Sequence, residues 1–410
     1  MSNNKTFIFV SIDGMTDPLG QSQVLPYLVG LAKKGNTIGI VSCEKKENWD
    51  LNSNLIKEIL NDANISWSYC FYKTGKPFIS QLQNYLSLKK IVINKIKKNN
   101  GDVILHCRSY LPSLIGLYSK KRFNTRFIFD MRGFWADERI EGGIWKKNNI
   151  IGSLLYYYFK KKEKELLINA DHIISLTNKA KETILHWELF NDSSKISVIP
   201  CCADLQHFSK ENINTTKLNS IKEELPLLKN KFVLSYVGSL GTWYMAEEML
   251  MFFKILSIKT ESVFLIITKD NPNLIYDAAK KAGVDFDKLV IISSSRIDIP
   301  YYILLSSASL FFIKPTFSKS ASSPTKMGEL LSMGVPIITN TGIGDVDVII
   351  EETTCGVLIA NFNNQSYETA IDDLLKNRST YKNNTVATAN KYFSLNDGVE
   401  KYSTVYQSFK

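Results

Sequence analysis

SKSASSPTKMGELLSMGVPIITNTGIGD, residues 318 to 345, combines a helix start, a short amphipathic helix and a buried strand. Ser323 is suited to the N-cap, and Pro324 fits the first helical position because proline lacks an N–H group. We predict that the helix ends at Gly334 and is followed by an apolar strand over 335–339. A helix that leads directly into a buried strand is typical of parallel α/β sheets.

The first turn of this predicted helix also carries groups that suit a nucleotide. The backbone N–H groups of Thr325 and Lys326 form an anion site at a helix N-terminus, and the Lys326 side chain adds a positive charge. Glu329, one turn further on, can accept two hydrogen bonds from a diol such as a ribose. An ordinary capped helix with a surface lysine and glutamate would explain the same spacing.

Length and composition predict a soluble or peripheral protein of the cytoplasm. The 410 residues suit two domains, and the six cysteines show no repeated C-x-x-C spacing, so neither disulfides nor a metal site is expected. The N-terminal MSNNKTFIFVSIDG has only four consecutive apolar residues, too few for a secretory signal. No run of residues approaches the roughly 18 apolar positions of a membrane span.

The positive charge of the chain lies in its first half. Residues 1–200 hold 29 Lys and Arg against 18 Asp and Glu, whereas the remainder is nearly balanced, with 21 against 22. This asymmetry favours an acidic partner for the first half, such as anionic lipid, a phosphorylated acceptor or nucleic acid. Solvated surface lysines, without any such partner, explain the asymmetry equally well. Nucleic acid is the least favoured partner, because no recognisable nucleic-acid-binding module accompanies the basic residues.

Apolar strands and amphipathic helices alternate along the whole chain, which predicts two doubly wound parallel sheets. A polar, irregular stretch interrupts the alternation after Pro200. We therefore predict an N-terminal Rossmann-like domain over 1–200, a linker over 201–229, a second Rossmann-like domain over 230–390, and a C-terminal helix over 391–410 that packs back toward the first domain.

Charged residues crowd behind one predicted strand, in FDMRGFWADERIEGG (129–143), where open α/β sheets bind ligands. Asp130, Arg132 and Asp137 are the candidate ligand contacts, although Arg132 and Asp137 could instead form a structural salt bridge. The next predicted helix, 150–168, combines leucines and tyrosines with lysines. It is suited to an anionic membrane surface, or else to packing on the core with a basic outer face.

Six blocks of the sequence, in order, resemble the retaining glycosyltransferases of family 4, also called group 1. They include DGMTDPLGQSQVLPYL near the N-terminus, FDMRGFWADE in the middle, LSYVGSLG at the start of the second half, and SSPTKMGELL with TGIGD near the end. The resemblance implies the GT-B architecture, in which two Rossmann-like domains face each other across a cleft. In that family the second domain holds a nucleotide-sugar and the first holds the acceptor.

The resemblance assigns roles to individual positions of this chain. Glu329 matches the glutamate that binds the ribose hydroxyls, and the amides of Thr325 and Lys326 match those that receive the diphosphate. His106 aligns with a histidine block near the transferred sugar, and Arg108 would line the same pocket. Asp130, Arg132 and Asp137 would position the acceptor. Further donor-binding positions are Gly20, Gln21, Gly238, Arg296 and Ser323.

Two departures from the family pattern affect the chemistry. The position of the first signature glutamate, eight residues before Glu329, is Ala321, and the loop after Gly238, SLGTWYMAEE, lacks the usual arginine and lysine. A departing diphosphate needs nearby positive charge or oriented dipoles. Lys326 is the first candidate to supply this charge, and Lys269 is a further donor-site candidate.

The sequence thus indicates a hexosyltransferase that needs no cofactor. It would move a sugar from a nucleotide diphosphate donor to a glycan or polyprenyl-linked acceptor in bacterial surface polysaccharide synthesis, at the inner face of the cell membrane. Lys326, His106 and Arg132 are the expected catalytic residues. Two alternatives remain open: an inactive GT-B scaffold, which Ala321 would suit, and a nucleotide-sugar epimerase on the same fold.

Overall fold

The computed structural model describes residues 5–75, 77–99 and 103–409, which fall into two units. The first unit comprises Met1–Cys201 together with Leu395–Lys410, and the second comprises Cys202–Ser394. Each unit contains one sheet, and every strand pair in both sheets is parallel.

The sheet of the first unit has the strand order β3-β2-β1-β4-β5-β6-β7. Its central strands are buried along almost their whole length, as expected for strands covered by helices on both faces. The order reverses between β1 and β4, where Phe9 lies opposite His106 in register. The strands are β1 (Thr6–Ser11), β2 (Thr37–Glu44), β3 (Ser66–Phe71), β4 (Val103–Arg108), β5 (Arg126–Asp130), β6 (His172–Ser175) and β7 (Ile196–Val198).

Eight helices precede the second unit among the described residues. The apolar periodicity of residues 21–33 predicts one helix, but the structure has two, because Val24 leaves helical geometry and a new helix begins at Leu25 with Pro26 in its first turn. The helix over 46–62 was not predicted. The bounds are α1 (Pro18–Gln23), α2 (Leu25–Lys33), α3 (Lys46–Asp62), α4 (Pro77–Lys98), α5 (Tyr110–Phe123), α6 (Trp135–Glu141), α7 (Ile150–Asn169) and α8 (Asn178–His186).

The second sheet has the order β10-β9-β8-β11-β12-β13, so it reverses between β8 and β11. Both sheets therefore have the doubly wound arrangement predicted from the sequence. In such sheets ligands bind at the carboxyl edge, at the point of reversal. The strands are β8 (Phe232–Val237), β9 (Ser262–Ile267), β10 (Leu289–Ile292), β11 (Ala308–Phe311), β12 (Ile337–Asn340) and β13 (Gly356–Ile359).

Apart from Cys201, the polar stretch 201–229 belongs to the second unit. It is not irregular throughout, since it contains a helix whose N-cap Asn214 side chain accepts from the Lys217 amide. That capping signal was overlooked in the sequence. The helices are α9 (Thr215–Glu224), α10 (Ala246–Lys259), α11 (Pro272–Ala282), α12 (Ile299–Leu304), α13 (Thr325–Ser332), α14 (Val346–Thr353) and α15 (Asn364–Phe393).

The last helix, α16 (Leu395–Gln407), belongs to the first unit and packs against α2. Gly30 makes this contact close, because a Cβ there would lie 2.6 Å from a methyl group of Val399. Tyr406 stacks on Phe7 of β1, with ring centroids 3.8 Å apart. The chain end thereby covers the reversal point of the first sheet.

Candidate active site

Helix α13 is fixed to the core by one face and presents its functional residues on the other. Met327, Leu330 and Leu331 are buried. Gly328 allows close packing, since a Cβ there would lie 2.7 Å from the Cβ of Phe393. Lys326 and Glu329, three residues apart, therefore share the opposite face of the helix.

The start of α13 differs from the prediction by one residue. The N-cap is Pro324, not Ser323, and no side chain caps the helix. Ser323 lies half-buried in the extended segment before it. By helix geometry, the N–H groups of Thr325 and Lys326 have no intrahelical acceptor, so they remain available to an anion.

The Lys326 ammonium lies in a box of aromatic rings. Its Nζ is 3.7 Å from the ring centre of Tyr244, 4.4 Å from that of Tyr236 and 6.0 Å from that of Phe311. It also donates to the Tyr236 hydroxyl at 3.3 Å. These contacts place the cation at the reversal point of the second sheet, because Tyr236 is on β8 and Phe311 ends β11.

Gly238 leaves the room that this ammonium occupies. Its φ is +123°, and a Cβ at this position would lie 3.0 Å from the Lys326 Nζ. The loop after β8 is held from the other side, since Asp270 accepts from the Leu240 amide at 2.5 Å. The cation absent from the GSLGTWY loop is thus supplied to the same place by α13.

Burial lowers the pKa of Lys326 to about 7, an effect that the nearby Glu329 only partly opposes. An aromatic ring stabilises an ammonium group less strongly than a carboxylate partner would. The described residues provide no carboxylate within ion-pair distance of this amine. A bound phosphate would supply the missing charge.

Glu329 is paired with the exposed Arg296, whose Nη1 lies 3.5 Å from Oε1. Burial raises the pKa of the Glu329 carboxyl, while Arg296 and Lys326 oppose the rise. His207 fixes the Arg296 loop by donating from Nε2 to its backbone oxygen at 3.0 Å. The structure thus brings Lys326, Glu329 and Arg296 together, as the predicted donor site requires.

Two other positions singled out in the sequence lie in turns of the second unit. Lys269 is exposed in the turn after β9. Ala321 is buried at the end of a 3₁₀ turn, Phe317–Ala321. This turn is tied to the TGIGD loop, because the Gly344 amide donates to the Lys319 oxygen at 2.9 Å.

In the first unit, His106 and Asp130 lie together at the reversal point. Both are about 1% exposed, and His106 Nε2 lies 3.5 Å from Asp130 Oδ2. The chain end completes the group: Tyr402 donates to Asp130 at 3.3 Å, and the Tyr406 hydroxyl lies 2.9 Å from His106 Nδ1. His106 is thus a buried histidine at a strand end whose Nδ1 has a hydroxyl partner, whereas its Nε2 and the Oδ1 of Asp130 have no hydrogen-bond partner among the described residues.

The arginines of this region are partnered as well. Arg132, with φ of +59°, places Nη1 3.9 Å from Asp130 Oδ1 and donates from Nη2 to the Cys201 Sγ at 3.1 Å. Arg108 donates from Nε to Asp13 at 3.3 Å. Burial works to raise the pKa of Asp130, but the Arg132 charge, with His106 and Arg108, outweighs it and holds the pKa below its usual value.

Asp137 is directed elsewhere. It accepts from the Tyr156 hydroxyl at 2.9 Å and pairs with Lys160 of α7 at 2.8 Å. Lys160 also pairs with the buried Glu163, which accepts from Tyr110. The alternative prediction of a salt bridge between Arg132 and Asp137 is therefore wrong. Arg132 pairs with Asp130, and Asp137 pairs with Lys160.

Gly20 and Gln21 shape the loop that follows β1. A Cβ on Gly20 would lie 2.1 Å from the Gly14 oxygen, so only glycine fits. Gln21 donates from its side chain to the Thr16 oxygen at 2.9 Å. The buried Glu44 at the end of β2 holds the same loop by accepting from the amides of Met15 and Thr16.

The residues that sequence reasoning missed are mostly aromatic. Tyr236 and Tyr244 around Lys326, and Tyr402 and Tyr406 around His106, come from distant elements. Only Tyr236 carried a local signal, since it precedes Gly238 by two positions on a strand. Across 5–75, 77–99 and 103–409, no cluster of three metal-ligating side chains occurs, and no helix is both long and apolar enough to cross a membrane.

Two family models match this chain. The family model described as "Glycosyl transferases group 1" matches residues 219–391, and the model "Glycosyltransferase Family 4" matches residues 28–207. A search of curated proteins gave no match.

Solved structures with the same fold cover nearly the whole chain. A glycosyltransferase from Rickettsia africae has 18% identity and a TM-score of 0.68, with 99% of each chain covered. Sucrose-phosphate synthase from Thermosynechococcus elongatus has 12% identity and a TM-score of 0.72, with 98% of each chain covered. HepE of Anabaena in complex with UDP has 11% identity and a TM-score of 0.69, covering 98% of this chain and 100% of its own. At these identities the likeness shows the fold, which is GT-B.

Proposed function

The chain belongs to the family 4, group 1 glycosyltransferases, and on that premise we propose that it transfers a hexose, with retention, from a nucleotide diphosphate donor to a glycan or polyprenyl-linked acceptor. The observation that carries the proposal is the Lys326 ammonium, desolvated beside the uncapped start of α13 and without a carboxylate partner in the described chain. A diphosphate is the ligand that such a site lacks.

The donor would be held by the second unit. Its diphosphate would accept from the Thr325 and Lys326 amides and contact the Lys326 ammonium, with Gly238 allowing close approach. Glu329 would bind the ribose hydroxyls after giving up part of its contact with Arg296. Lys269 and Ser323 are within the same proposed donor-binding set. Because HepE was solved with UDP and with UDP-glucose, uridine nucleotides are the first donors to test.

The proposed reaction breaks the bond between the anomeric carbon and the diphosphate oxygen, and the electron pair leaves with the nucleotide diphosphate. The Lys326 ammonium and the N-terminal amides of α13 stabilise the charge that develops on this oxygen. The acceptor hydroxyl attacks the anomeric carbon from the same face. This same-face attack accounts for retention. The proton of the hydroxyl passes to the departing diphosphate, which balances the charge.

The acceptor would be held by the first unit, through Arg108, Arg132 and Asp130 at the carboxyl edge of β4 and β5. His106 would act as a positioning residue, because its contacts are with Asp130 and two tyrosines. Asp137 is proposed to act indirectly, by holding α6 and α7 together through Lys160. Since Lys326 and the α13 amides can receive the leaving-group charge, the proposal requires no cofactor.

We further propose a role in bacterial surface polysaccharide synthesis at the cytoplasmic face of the membrane. Helix α7 supports it, because Ile150 is 80% exposed and Leu154 is 65% exposed in a segment rich in lysine. Apolar side chains beside lysines suit an anionic bilayer surface.

A panel of nucleotide-sugars, scored by thermal stabilisation and by slow hydrolysis, tests the donor proposal. We expect one nucleotide diphosphate family to stabilise the protein, and Glu329→Gln to weaken its affinity by about tenfold to a hundredfold, through loss of a charged hydrogen-bond acceptor. Glu351→Gln, at an exposed position of α14, is the control. Unchanged affinity in Glu329→Gln would rule out the ribose contact, and no response to any nucleotide would favour the scaffold alternative.

A further inference from the structure

A polar pocket of about 140 Å³ opens at the reversal point of the first sheet. Asp13 follows β1 and Arg108 ends β4, so the pocket lies where a doubly wound sheet binds its ligand. Trp135 and Arg139 of α6 close one side, and Asn84 of α4 closes another. The lining therefore offers an aromatic ring and two guanidinium groups beside the Asp13 carboxylate, whereas the Asn84 amide is bonded to the backbone of Lys73.

The charge of this pocket favours an anion. Arg108 is 5% exposed, and within the described part of the chain its carboxylate contact is with Asp13 through Nε. Arg139 lies over the Trp135 ring at 4.8 Å, and no carboxylate in the described chain is within ion-pair distance of it. Burial lowers the pKa of Arg139 more than Glu138 raises it, as expected for a cation that has lost water without gaining a full counter-charge.

An apolar groove of about 460 Å³ adjoins the pocket, since Gln81 and Leu111 line both. Helices α4, α5 and α7 form the walls of the groove. Its lining is dominated by leucine and aromatic side chains, among them Leu82, Leu114, Leu155, Tyr158 and Phe159. Leu82 is 57% exposed and Tyr158 is 49% exposed, so apolar surface faces solvent along the groove.

Lysines stand at the rim of the groove. Lys121 and Lys162 both pair with Glu165, at 2.6 and 2.7 Å, and all three line the groove. Lys89 covers the Tyr118 ring at 3.3 Å. An apolar channel with cations at its edge, joined to an arginine pocket, matches a ligand with a phosphate head and an apolar tail.

We propose that the pocket and the groove form one site for a lipid-linked acceptor, in which Arg108 and Arg139 bind the phosphate or diphosphate and the groove binds a single polyprenyl chain. One groove accommodates one chain, which favours an isoprenoid phosphate over a two-chain phospholipid. The inference rests on the proposed function, because a sugar carried on this lipid would supply the hydroxyl that attacks in that reaction. It selects the polyprenyl-linked acceptor over a free glycan.

Calorimetric titration of the full chain with geranylgeranyl diphosphate and with inorganic diphosphate tests the head and the tail separately. We expect the prenyl compound to bind at least about tenfold more tightly, with a negative heat-capacity change, because methylene groups leave water. Equal affinity for the two compounds would overturn the assignment of the groove.

Two neighbouring residues of α7 provide a matched pair of variants. Leu155→Glu places a charge in the groove and should abolish the advantage of the prenyl compound, whereas Leu154→Glu, at an exposed position outside the lining, should leave it intact. Tyr158→Glu serves as a second groove variant if Leu155→Glu is unstable. Arg139→Gln should weaken both compounds alike. Equal losses in Leu154→Glu and Leu155→Glu would refute the site.

Vesicles of phosphatidylglycerol distinguish a lipid-binding groove from a general membrane surface. We expect Leu155→Glu to lose prenyl diphosphate binding while still sedimenting with these vesicles. If instead vesicle binding follows prenyl binding in every variant, the face is a bilayer surface and the acceptor site is wrong. Nucleotide binding is measured in the same preparations and tests the donor proposal independently. Loss of the acceptor-site proposal therefore does not imply loss of the donor proposal, and the reverse also holds.

Discussion

The two units place their candidate sites at equivalent points of their sheets but treat charge in opposite ways. In the first unit, the reversal between β1 and β4 gathers charges that largely pair with one another: Arg108 with Asp13, and Asp130 with Arg132 and His106. In the second unit, the reversal between β8 and β11 holds one amine among aromatic rings. The same topology thus carries a mostly paired network around Asp130 in the first unit, with Arg139 of the neighbouring pocket left unpaired among the described residues, and an amine without a carboxylate partner in the second.

This difference distinguishes residues that stabilise a site, such as Asp130 and Arg132, from a residue such as Lys326 that gains its counter-charge only when a ligand binds. A buried, paired charge is costly to remove, because its partner is left without compensation. A desolvated, unpaired cation destabilises the fold slightly and gains most when an anion binds. We therefore expect substitutions in the first unit to affect stability most, and substitution of Lys326 to affect turnover most.

The largest effect is expected for Lys326→Met. Loss of a cation at the leaving group should reduce turnover by about a hundredfold to a thousandfold, as loss of one transition-state donor does elsewhere. The melting temperature should stay unchanged or rise, because a desolvated ammonium has been removed. Lys280→Met, at an exposed position of α11 in the same unit, is the control. Turnover within twofold of the wild type would show that Lys326 does not serve the leaving group.

The next effect tests the paired network. Asp130→Asn should lower the free energy of unfolding by about 3 kcal/mol, because Arg132 and Arg108 would face each other without the buried carboxylate. Asp62→Asn, at an exposed position, should change it little. Denaturant unfolding monitored by circular dichroism measures both.

The difference in the free energy of unfolding between the wild type and Asp130→Asn also has a defined pH dependence. The folded pKa of Asp130 lies below that of the unfolded chain. Its stabilisation is therefore present above the ordinary aspartate pKa and is lost as the pH falls through the folded value. A difference that grows on acidification would contradict the pairing.

The smallest effect concerns proton uptake at the donor site. With a pKa of about 7, Lys326 is partly neutral in the free protein at pH 7.5, and a bound diphosphate favours its charged form. Affinity for a nucleoside diphosphate should therefore fall about tenfold between pH 6 and pH 8. Ionisation of the nucleotide itself acts in the opposite direction, so a fall is diagnostic. Titration calorimetry in two buffers of different ionisation enthalpy measures the uptake, which should be absent in Lys326→Met.

Much of the fold was predictable because it follows from local patterns. Continuous apolar strands such as β1 and β8, alternating with amphipathic helices, predicted two parallel sheets. The errors lie where local signals conflict or are weak: Val24 breaks one predicted helix in two, and α9 lies in a stretch rich in polar residues. The shared helical face of Lys326 and Glu329 in the candidate donor site was also predictable, because the two residues are three positions apart on one helix.

The acceptor side was less predictable because its contacts join residues far apart in the chain. The sequence suggested Asp137 as a partner of Arg132, yet Asp137 pairs with Lys160, which is 23 positions away. Tyr402 and Tyr406 reach Asp130 and His106 across roughly three hundred residues. No periodicity in the sequence marks such partners, since each depends on how complete elements pack.

By itself, the sequence determined the layered α/β plan, the start of α13 to within one residue, and the placing of Lys326 and Glu329 on one helical face. These features depend on hydrophobic periodicity, on proline and glycine geometry, and on spacing along a helix. The tertiary structure alone decided that Lys326 lies among Tyr236, Tyr244 and Phe311, that it fills the space left by Gly238, and that α16 returns to the first sheet. Packing of distant elements sets the dielectric and the partners of a charge, and these convert an ordinary lysine into a candidate leaving-group cation.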